Sequence, residues 1–175
     1  FTAVDDLAEE GEETGAGMIG TVQMMSSTMY RYATINFEGL KDNLDSVDAA
    51  GLAVQHFIEA FVSSMPTGKI NTFANQTLPE LVYVAVRDTR PVSLVNAFEV
   101  PVEADQGASR RKVAADRLAQ EARDVEFVYG FKPLAAYVMG IGETADSFTE
   151  IAEKTTLQDL TKNINEVLDR VVGDQ

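Results

Sequence analysis

The sequence lacks cysteine and contains a single histidine, His56. Without cysteine, the chain forms no disulfide bond and offers no thiolate ligand to a metal. One imidazole excludes a multi-histidine metal centre built from this chain alone. The sequence also has no signal peptide and no apolar run of about 18 residues, so we expect a soluble, cytoplasmic protein with no membrane segment. We expect neither a metal nor another cofactor.

Basic residues are scarce as well. Fourteen Lys and Arg stand against 28 Asp and Glu, which gives a net charge of −14. Because nonspecific affinity for nucleic acid comes from cations that displace phosphate counterions, this balance excludes such binding and leaves only local contacts. The charge is uneven, since residues 1–13 are acidic with no basic residue whereas Ser109 to Arg123 is rich in Arg and Lys. Taken alone, each cluster is typical of a solvated surface.

The length and apolar content favour one globular domain. The chain has 175 residues, of which 45% are hydrophobic, and this is enough to bury a core. It begins at Phe1 rather than at Met, and we expect it to be a piece of a longer protein.

The stretch Met24–Phe37, MMSSTMYRYATINF, alternates with a period of two and contains neither Pro nor Gly. This pattern predicts a central strand with one face on the core, around which the fold is organised. Tyr30 and Tyr32 are then either base-stacking aromatics or residues that pack under a helix or a neighbouring subunit. Packing is favoured because no RNP-type pattern surrounds them.

The other periodicities predict helices over 38–44, from a Ser46 cap to about Met65, from Arg110 to about Tyr129, and after a Thr156 cap. They also predict three strands. The strand at 81–86 would be buried on both faces, the strand at 92–98 would be its antiparallel partner, and a third would lie within 133–142. His56 lies between apolar helix positions and is interpreted as an ordinary flank residue. The basic start of the third helix opposes the helix dipole, so we expect an anion nearby. The element order predicts an α+β sheet with helices on one side.

Residues 1–20 are acidic and end in glycines, which predicts a projecting arm or hairpin. The G-x-G-x-x-G match within 15–20 is not a dinucleotide site, because no apolar strand precedes it and no helix follows it. Asp5 and Asp6 are a possible carboxylate or metal-binding pair. Adjacent residues of an extended chain point to opposite sides, so solvated acids are favoured.

The loop 66–78, PTGKINTFANQTL, places Lys69 beside Gly68 among amide and hydroxyl side chains. It is not a nucleotide phosphate loop, since Ser63 and Ile70 stand where Gly and Ser or Thr are needed. One ammonium group on a flexible turn suits contact with a sugar-phosphate backbone. An ordinary polar connection is the alternative, and on these residues alone it is favoured.

Five segments carry a family resemblance: FTAVDDL (1–7), IGT (19–21), YRYATIN (30–36), PTGKINTFA (66–74) and PVSLVNAFE (91–99). In this order and spacing they resemble the CasC family, which supplies the backbone subunit of the type I-E CRISPR Cascade complex. The resemblance is close up to about residue 100 and looser beyond. The chain resembles the C-terminal half of such a protein.

The resemblance implies a non-enzymatic RNA-binding subunit that polymerises along a CRISPR RNA in antiviral defence. The implied α+β fold is part of a modified RRM-like (ferredoxin-like) palm sheet with helices on one face and a projecting thumb hairpin. Residues 1–21 would form the thumb arm and 22–175 the C-terminal half of the palm. The implied partners are CRISPR RNA, neighbouring copies, other Cascade subunits and, through the guide, target DNA in a prokaryotic cytoplasm.

The resemblance implies RNA-binding residues at the positions of this chain that match the family's motifs. Phe1 and Thr2 match thumb positions that lie against the kinked guide, and Lys69 matches the basic residue of the loop that approaches the RNA. Asn71 and Thr72 are further candidates from that loop. Catalytic and metal-binding residues are not implied.

Two other functions stay open. One is a metal-dependent ribonuclease subunit of an RNA-guided complex that cuts with a thumb aspartate, here Asp5 or Asp6. The other is a structural oligomer subunit that never touches RNA.

Overall fold

In a computed structural model, the described residues are 2–4, 16–19, 27–104 and 107–173. The strands are β1 (Thr2–Val4), β2 (Ala16–Ile19), β3 (Leu81–Val86), β4 (Ala135–Gly140) and β5 (Glu153–Lys154). The helices are α1 (Phe37–Leu44), α2 (Val47–Ser63), α3 (Ile70–Phe73), α4 (Arg110–Tyr129) and α5 (Leu157–Gly173), with 3-10 helices at Val95–Phe98 and Thr144–Phe148. The predicted α+β class is confirmed.

The main sheet has three strands in the order β3-β4-β5. β3 and β4 are antiparallel, with Leu81 opposite Gly140 and Val86 opposite Ala135. The two-residue β5 runs parallel to β4. The strands predicted at 81–86 and within 133–142 are therefore confirmed, and the second of them, rather than 92–98, is the partner of the first.

Helices α2 and α5 cover one face of this sheet. Their inward-facing residues are all less than a tenth exposed: Val54, Ile58, Val62, Leu160, Ile164, Val167 and Leu168. They pack on alternate strand residues, among them Val82, Val84 and the buried Tyr137. Helical spacing of apolar residues thus produces the larger of the two cores.

Helix α4 covers the opposite face, so the prediction that the helices lie on one side is wrong. Ala119 of α4 is fully buried with Val138 of β4 and with Phe148 of the second 3-10 helix. The buried stripe of α4 consists of alanines, whose small side chains let the helix lie close to its neighbours. The apolar run of β3 has side chains on both faces, and such a run needs cover on both faces.

The helix starts were readable from the sequence. The side chains of Ser46, Ser109 and Thr156 accept hydrogen bonds from the backbone N–H groups three residues on, at 3.2–3.3 Å. Each bond satisfies a backbone donor that the first helical turn leaves unpaired. At its other end α4 stops at Gly130, whose φ of 69° suits a left-handed cap.

The backbone of the N-terminal region forms a hairpin in the part that is described. β1 pairs antiparallel with β2, Thr2 opposite Ile19, with an irregularity between Ala3 and Val4. This agrees with the predicted arm or hairpin.

The predicted central strand is wrong over 27–36, where the chain has no regular secondary structure and joins no sheet. Residues 24–26 lie outside the described part of the chain. The two neighbours Tyr30 and Arg31 contact different parts of the fold: Tyr30 contacts Leu94, and Arg31 contacts Ser64. Alternation therefore reflects two side-chain environments, and it does not require a hydrogen-bonded partner strand.

The predicted strand at 92–98 is also wrong. These residues form an irregular segment that ends in a 3-10 helix, and Leu94 is its one buried residue. The β4 strand already occupies the antiparallel position beside β3.

Within the described residues, no helix combines the length and apolar character that crossing a bilayer requires.

The Tyr83 hydroxyl gives a testable pH dependence. Its oxygen is buried without a hydrogen-bond partner among the described residues, and burial, reinforced by the Glu126 carboxylate, raises the pKa of Tyr83 to about 12. Because the unfolded chain deprotonates first, the contribution of Tyr83 to stability is complete below pH 10 and is lost as pH rises towards 12. At pH 11 the loss should be on the order of 1 kcal/mol.

The measurement is urea unfolding at pH 8 and pH 11. Tyr83→Phe removes the ionising group and should reduce the alkaline loss by that amount, with little change at pH 8 because no hydrogen bond is broken. An equal alkaline loss in both proteins would contradict this account.

Candidate nucleic-acid interface

The Lys69 loop is more ordered than the predicted flexible turn. It holds the four-residue helix α3, which is flanked by Lys69 and Ala74, both in the left-handed region with φ of 54° and 49°. For residues other than glycine this conformation costs of order 1 kcal/mol, and such residues are enriched at functional sites. The N–H groups of Thr72 and Phe73 both donate to the Lys69 carbonyl at 3.0 Å.

The polar side chains of this loop face solvent. Lys69, Asn71 and Thr72 are exposed, and Asn71 and Thr72 make no side-chain hydrogen bond within the described residues. The Lys69 ammonium lies 5.9 Å from the centre of the Phe73 ring, at the outer limit of a cation–π contact. The three candidates are thus brought together on one loop and are free to contact a ligand.

Arg31 fixes the start of this loop. Its guanidinium donates to the Ser64 carbonyl at 2.7 Å and lies 4.3 Å from the centre of the Phe61 ring. Helix α2 has no basic residue in its last turn, so Arg31 supplies the cation that a helix C-terminus favours. It also joins the segment 27–36 to the base of the Lys69 loop.

Tyr30 and Tyr32 have different surroundings. The Tyr30 hydroxyl accepts a hydrogen bond from the Leu94 N–H at 3.1 Å, and its ring lies 5.5 Å from that of Phe98. Tyr32, in contrast, is 44% exposed. The interpretation of both residues as packed is confirmed for Tyr30, which holds 27–36 against 94–98. For Tyr32, packing under a neighbouring subunit stays a prediction.

Three segments that contain no acidic residue contact one another. Residues 27–37, 64–79 and 89–98 contain no Asp or Glu in a chain that has 28, and they carry Arg31, Lys69 and Arg90. Arg31 links the first to the second, and Tyr30 links the first to the third. We call them together the acid-free surface. The spacing of acidic residues along the chain already contains this signal, which hydrophobic periodicity and motifs do not show.

The basic start of α4, by contrast, is neutralised. Arg111 pairs with Glu80 at 3.1 Å, and Lys112 pairs with Asp116. Desolvation alone would raise the pKa of the Asp116 carboxyl, but hydrogen bonds from Lys112 and Ser147 lower this pKa. The anion expected near this helix start is therefore present, and Arg111 and Lys112 form ion pairs within the protein.

Arg117 and Arg123, further along α4, bind the carbonyls of Val100 and Ser147 at 2.8 and 3.1 Å. They hold neighbouring loops against α4 and are also used by the fold.

Of the candidate residues near the N-terminus, Thr2 lies within the described part of the chain. Thr2 lies in β1, opposite Ile19, whereas Phe1, Asp5 and Asp6 lie outside the described residues. His56 is exposed and stands 3.7 Å from the Glu59 carboxylate, as expected of a flank residue. In the part of the chain that the structure describes, no group of three or more His, Cys, Asp or Glu could hold a metal ion.

Known proteins that are similar to this chain identify its family. A family model described as CT1975-like protein matches residues 1–163. The chain belongs to the CT1975-like family. This places it in the CasC group of backbone subunits that the five sequence segments resemble.

Two solved structures are similar to this CT1975-like protein over almost its whole length. A chain of a "CRISPR RNA-guided surveillance complex" matches with a TM-score of 0.80 and 32% identity over 95% of this chain. A chain of a "CRISPR RNA-guided surveillance complex, pre-nicking" matches with a TM-score of 0.78 and 31% identity over 96%. The matches cover 63% and 45% of those two chains. A search of curated proteins found no significant match. The protein is homologous to subunits of CRISPR surveillance complexes.

Proposed function

We propose that this protein is a non-catalytic backbone subunit of a type I-E Cascade complex, which binds CRISPR RNA and polymerises along it for antiviral targeting of DNA. Its partners would be CRISPR RNA, neighbouring copies, other Cascade subunits and, through the guide, target DNA. The observation that carries the proposal is the acid-free surface, which presents the exposed Lys69 loop in a chain of net charge −14.

Electrostatics supports RNA as the ligand of this surface. Phosphates are repelled by carboxylates, and exposed charges act over about 10 Å at ordinary salt. A polynucleotide therefore binds more favourably where carboxylates are few than elsewhere on this protein. The exposed amide and hydroxyl groups of Asn71 and Thr72 suit hydrogen bonds to phosphate and sugar oxygens, which position a strand without reading its sequence.

Repetition compensates for the small number of cations. One loop contributes one ammonium group, but copies lined up along a single RNA combine weak contacts into avidity. Base pairing by the guide supplies the sequence specificity, so the protein needs only to hold the backbone. The N-terminal hairpin, in which Thr2 lies, is the proposed second contact with the guide.

Lys69→Gln in the protein should weaken binding to RNA of any sequence. Loss of one phosphate contact should reduce the slope of log affinity against log salt by about 0.7 to 1 per subunit. The measurement is fluorescence anisotropy with labelled CRISPR RNA between about 50 and 200 mM salt.

The matched control is Lys162→Gln on α5. Lys162 has the same charge, its side chain is 75% exposed, and its pair with Glu166 at 3.9 Å is of the weak surface kind. An unchanged slope in Lys69→Gln, or an equal reduction in Lys162→Gln, would contradict the proposed site.

The non-catalytic part of the proposal is tested separately. RNA incubated with the protein and Mg²⁺ or Mn²⁺ should stay intact. Cleavage that Asp5→Ala or Asp6→Ala abolishes would instead establish the ribonuclease alternative.

A further inference from the structure

We propose that Arg31 binds a phosphate of the RNA strand that passes the Lys69 loop, as an additional cationic contact whose guanidinium the protein holds in place before RNA binds. The inference rests on the proposed function and adds a residue that the family resemblance did not supply. It gives each copy of the protein two cationic contacts on the acid-free surface, one on the Lys69 loop and one at its base.

The first observation is how the guanidinium is held. Its Nη1 donates to the Ser64 carbonyl at 2.7 Å and lies 3.5 Å from the Met65 sulfur. The central carbon of the guanidinium lies 4.3 Å from the centre of the Phe61 ring, and that ring is stacked on the Phe57 ring at 5.8 Å. Because the side chain is already ordered, binding a ligand costs little further conformational entropy.

The second observation is the part of the guanidinium that stays free. The contacts to Ser64 and Met65 use Nη1 alone, so Nε and Nη2 have no partner among the described residues. These two nitrogens form the planar edge with which an arginine binds phosphate oxygens in a bidentate manner. Arg31 is also exposed, and an anion can therefore reach this edge from solvent.

The third observation is the absence of a neutralising carboxylate. Arg31 forms no ion pair within the part of the chain that the structure describes, and neither 27–37 nor 64–79 contains Asp or Glu. At the start of α4, by comparison, Arg111 and Lys112 pair with Glu80 and Asp116. The charge of Arg31 is thus available to an external anion, whereas those two charges are used within the protein.

The fourth observation is the short distance along the chain from Arg31's anchor to Lys69. Ser64 lies five residues before Lys69, and five residues span at most about 18 Å. The two cations can therefore serve one short stretch of RNA. Since a single strand carries a phosphate at every nucleotide, cations spaced along a groove can follow its backbone without reading its sequence.

Salt dependence tests the contact. Arg31→Gln should weaken binding of labelled CRISPR RNA about 10-fold and reduce the slope of log affinity against log salt by about 0.7. Arg31→Lys keeps the charge but loses the planar edge, so it should retain the slope and still bind more weakly than the wild type. Fluorescence anisotropy between about 50 and 200 mM salt measures both quantities.

The matched control is Arg170→Gln on α5. Arg170 is exposed, and its Nε donates to the Glu166 carbonyl at 3.1 Å, so the control removes the same charge together with a contact to a helix carbonyl. Its salt slope should equal that of the wild type. An equal reduction in Arg170→Gln and Arg31→Gln would show that only the net charge matters and would overturn the contact.

A double variant separates direct contact from positioning of the loop. If Arg31 binds its own phosphate, Arg31→Gln should lower the slope by a further 0.7 or so in the Lys69→Gln protein, because independent contacts add. If Arg31 acts only by holding the base of the loop, Arg31→Gln should have no further effect once Lys69 is replaced. That result would overturn the contact.

The outcomes also distinguish this contact from the proposed function. If Lys69→Gln weakens RNA binding while Arg31→Gln changes neither affinity nor slope, the contact is wrong and the proposed function stands. If the protein binds no RNA, both are wrong. Circular dichroism melts report whether each variant folds. Should Arg31→Gln fail to fold, Arg31→Lys carries the test, and affinity equal to that of the wild type would contradict the bidentate contact.

Discussion

Thr72→Glu is expected to weaken binding of CRISPR RNA by about 30-fold or more, since a carboxylate set against phosphate costs several kcal/mol. Thr72 is exposed on α3 and makes no side-chain hydrogen bond within the described residues, so the substitution breaks no internal contact. It places a negative charge on the acid-free surface, three residues from Lys69. The effect should be repeated in every copy along the RNA, and it should shrink as salt rises because the charges are exposed.

The matched control is Thr149→Glu. Thr149 is also exposed, but it follows the 3-10 helix Thr144–Phe148 on the α4 side of the sheet. Its hydroxyl donates to the Asp146 carbonyl, its one side-chain hydrogen bond among the described residues. Both variants raise the net negative charge equally, so binding titrations of the two measure the local effect of the surface. Equal affinities would mean that the RNA does not run past α3. Circular dichroism melts of both variants show whether either change affects folding.

Phe148→Ala is expected to lower the free energy of unfolding by about 3–5 kcal/mol, through lost burial and the cavity left behind. Phe148 is fully buried, and its ring lies 5.1 Å from the ring of Tyr83. It fills the space between β4 and the alanine stripe of α4, where small side chains cannot expand to replace it. For a chain of this size, the melting temperature should fall by about 6–20 °C.

Phe127→Ala is the matched control, because Phe127 of α4 is 90% exposed. The same chemical change there should alter stability by about 0.5 kcal/mol or less. Urea unfolding with a common slope compares the two variants. A small loss in Phe148→Ala would show that the smaller core contributes little, and that α4 is held mainly by its polar contacts.

Some features of the candidate site were predictable because they depend on local sequence. Lys69, Asn71 and Thr72 share a short polar segment, and the structure leaves all three exposed on one loop. Tyr32 was not predictable, because its periodicity is identical to that of Tyr30, two residues earlier. Leu94 and Phe98 decide the difference, and they lie more than 60 residues away. The role of Arg31 at the end of α2 was hidden for the same reason.

The sequence by itself determined helices α1, α2, α4 and α5, the Ser46 and Thr156 caps and the two long strands, because hydrophobic periodicity and side-chain caps act within a few residues. It also determined the family, through five spaced segments. Only the tertiary structure decided that β3 pairs with β4, that α4 covers the second face of the sheet, and that three acid-free segments form one surface. Strand pairing and shared surfaces depend on contacts between residues that are distant in the chain, and the pattern within any one segment carries no information about its partner.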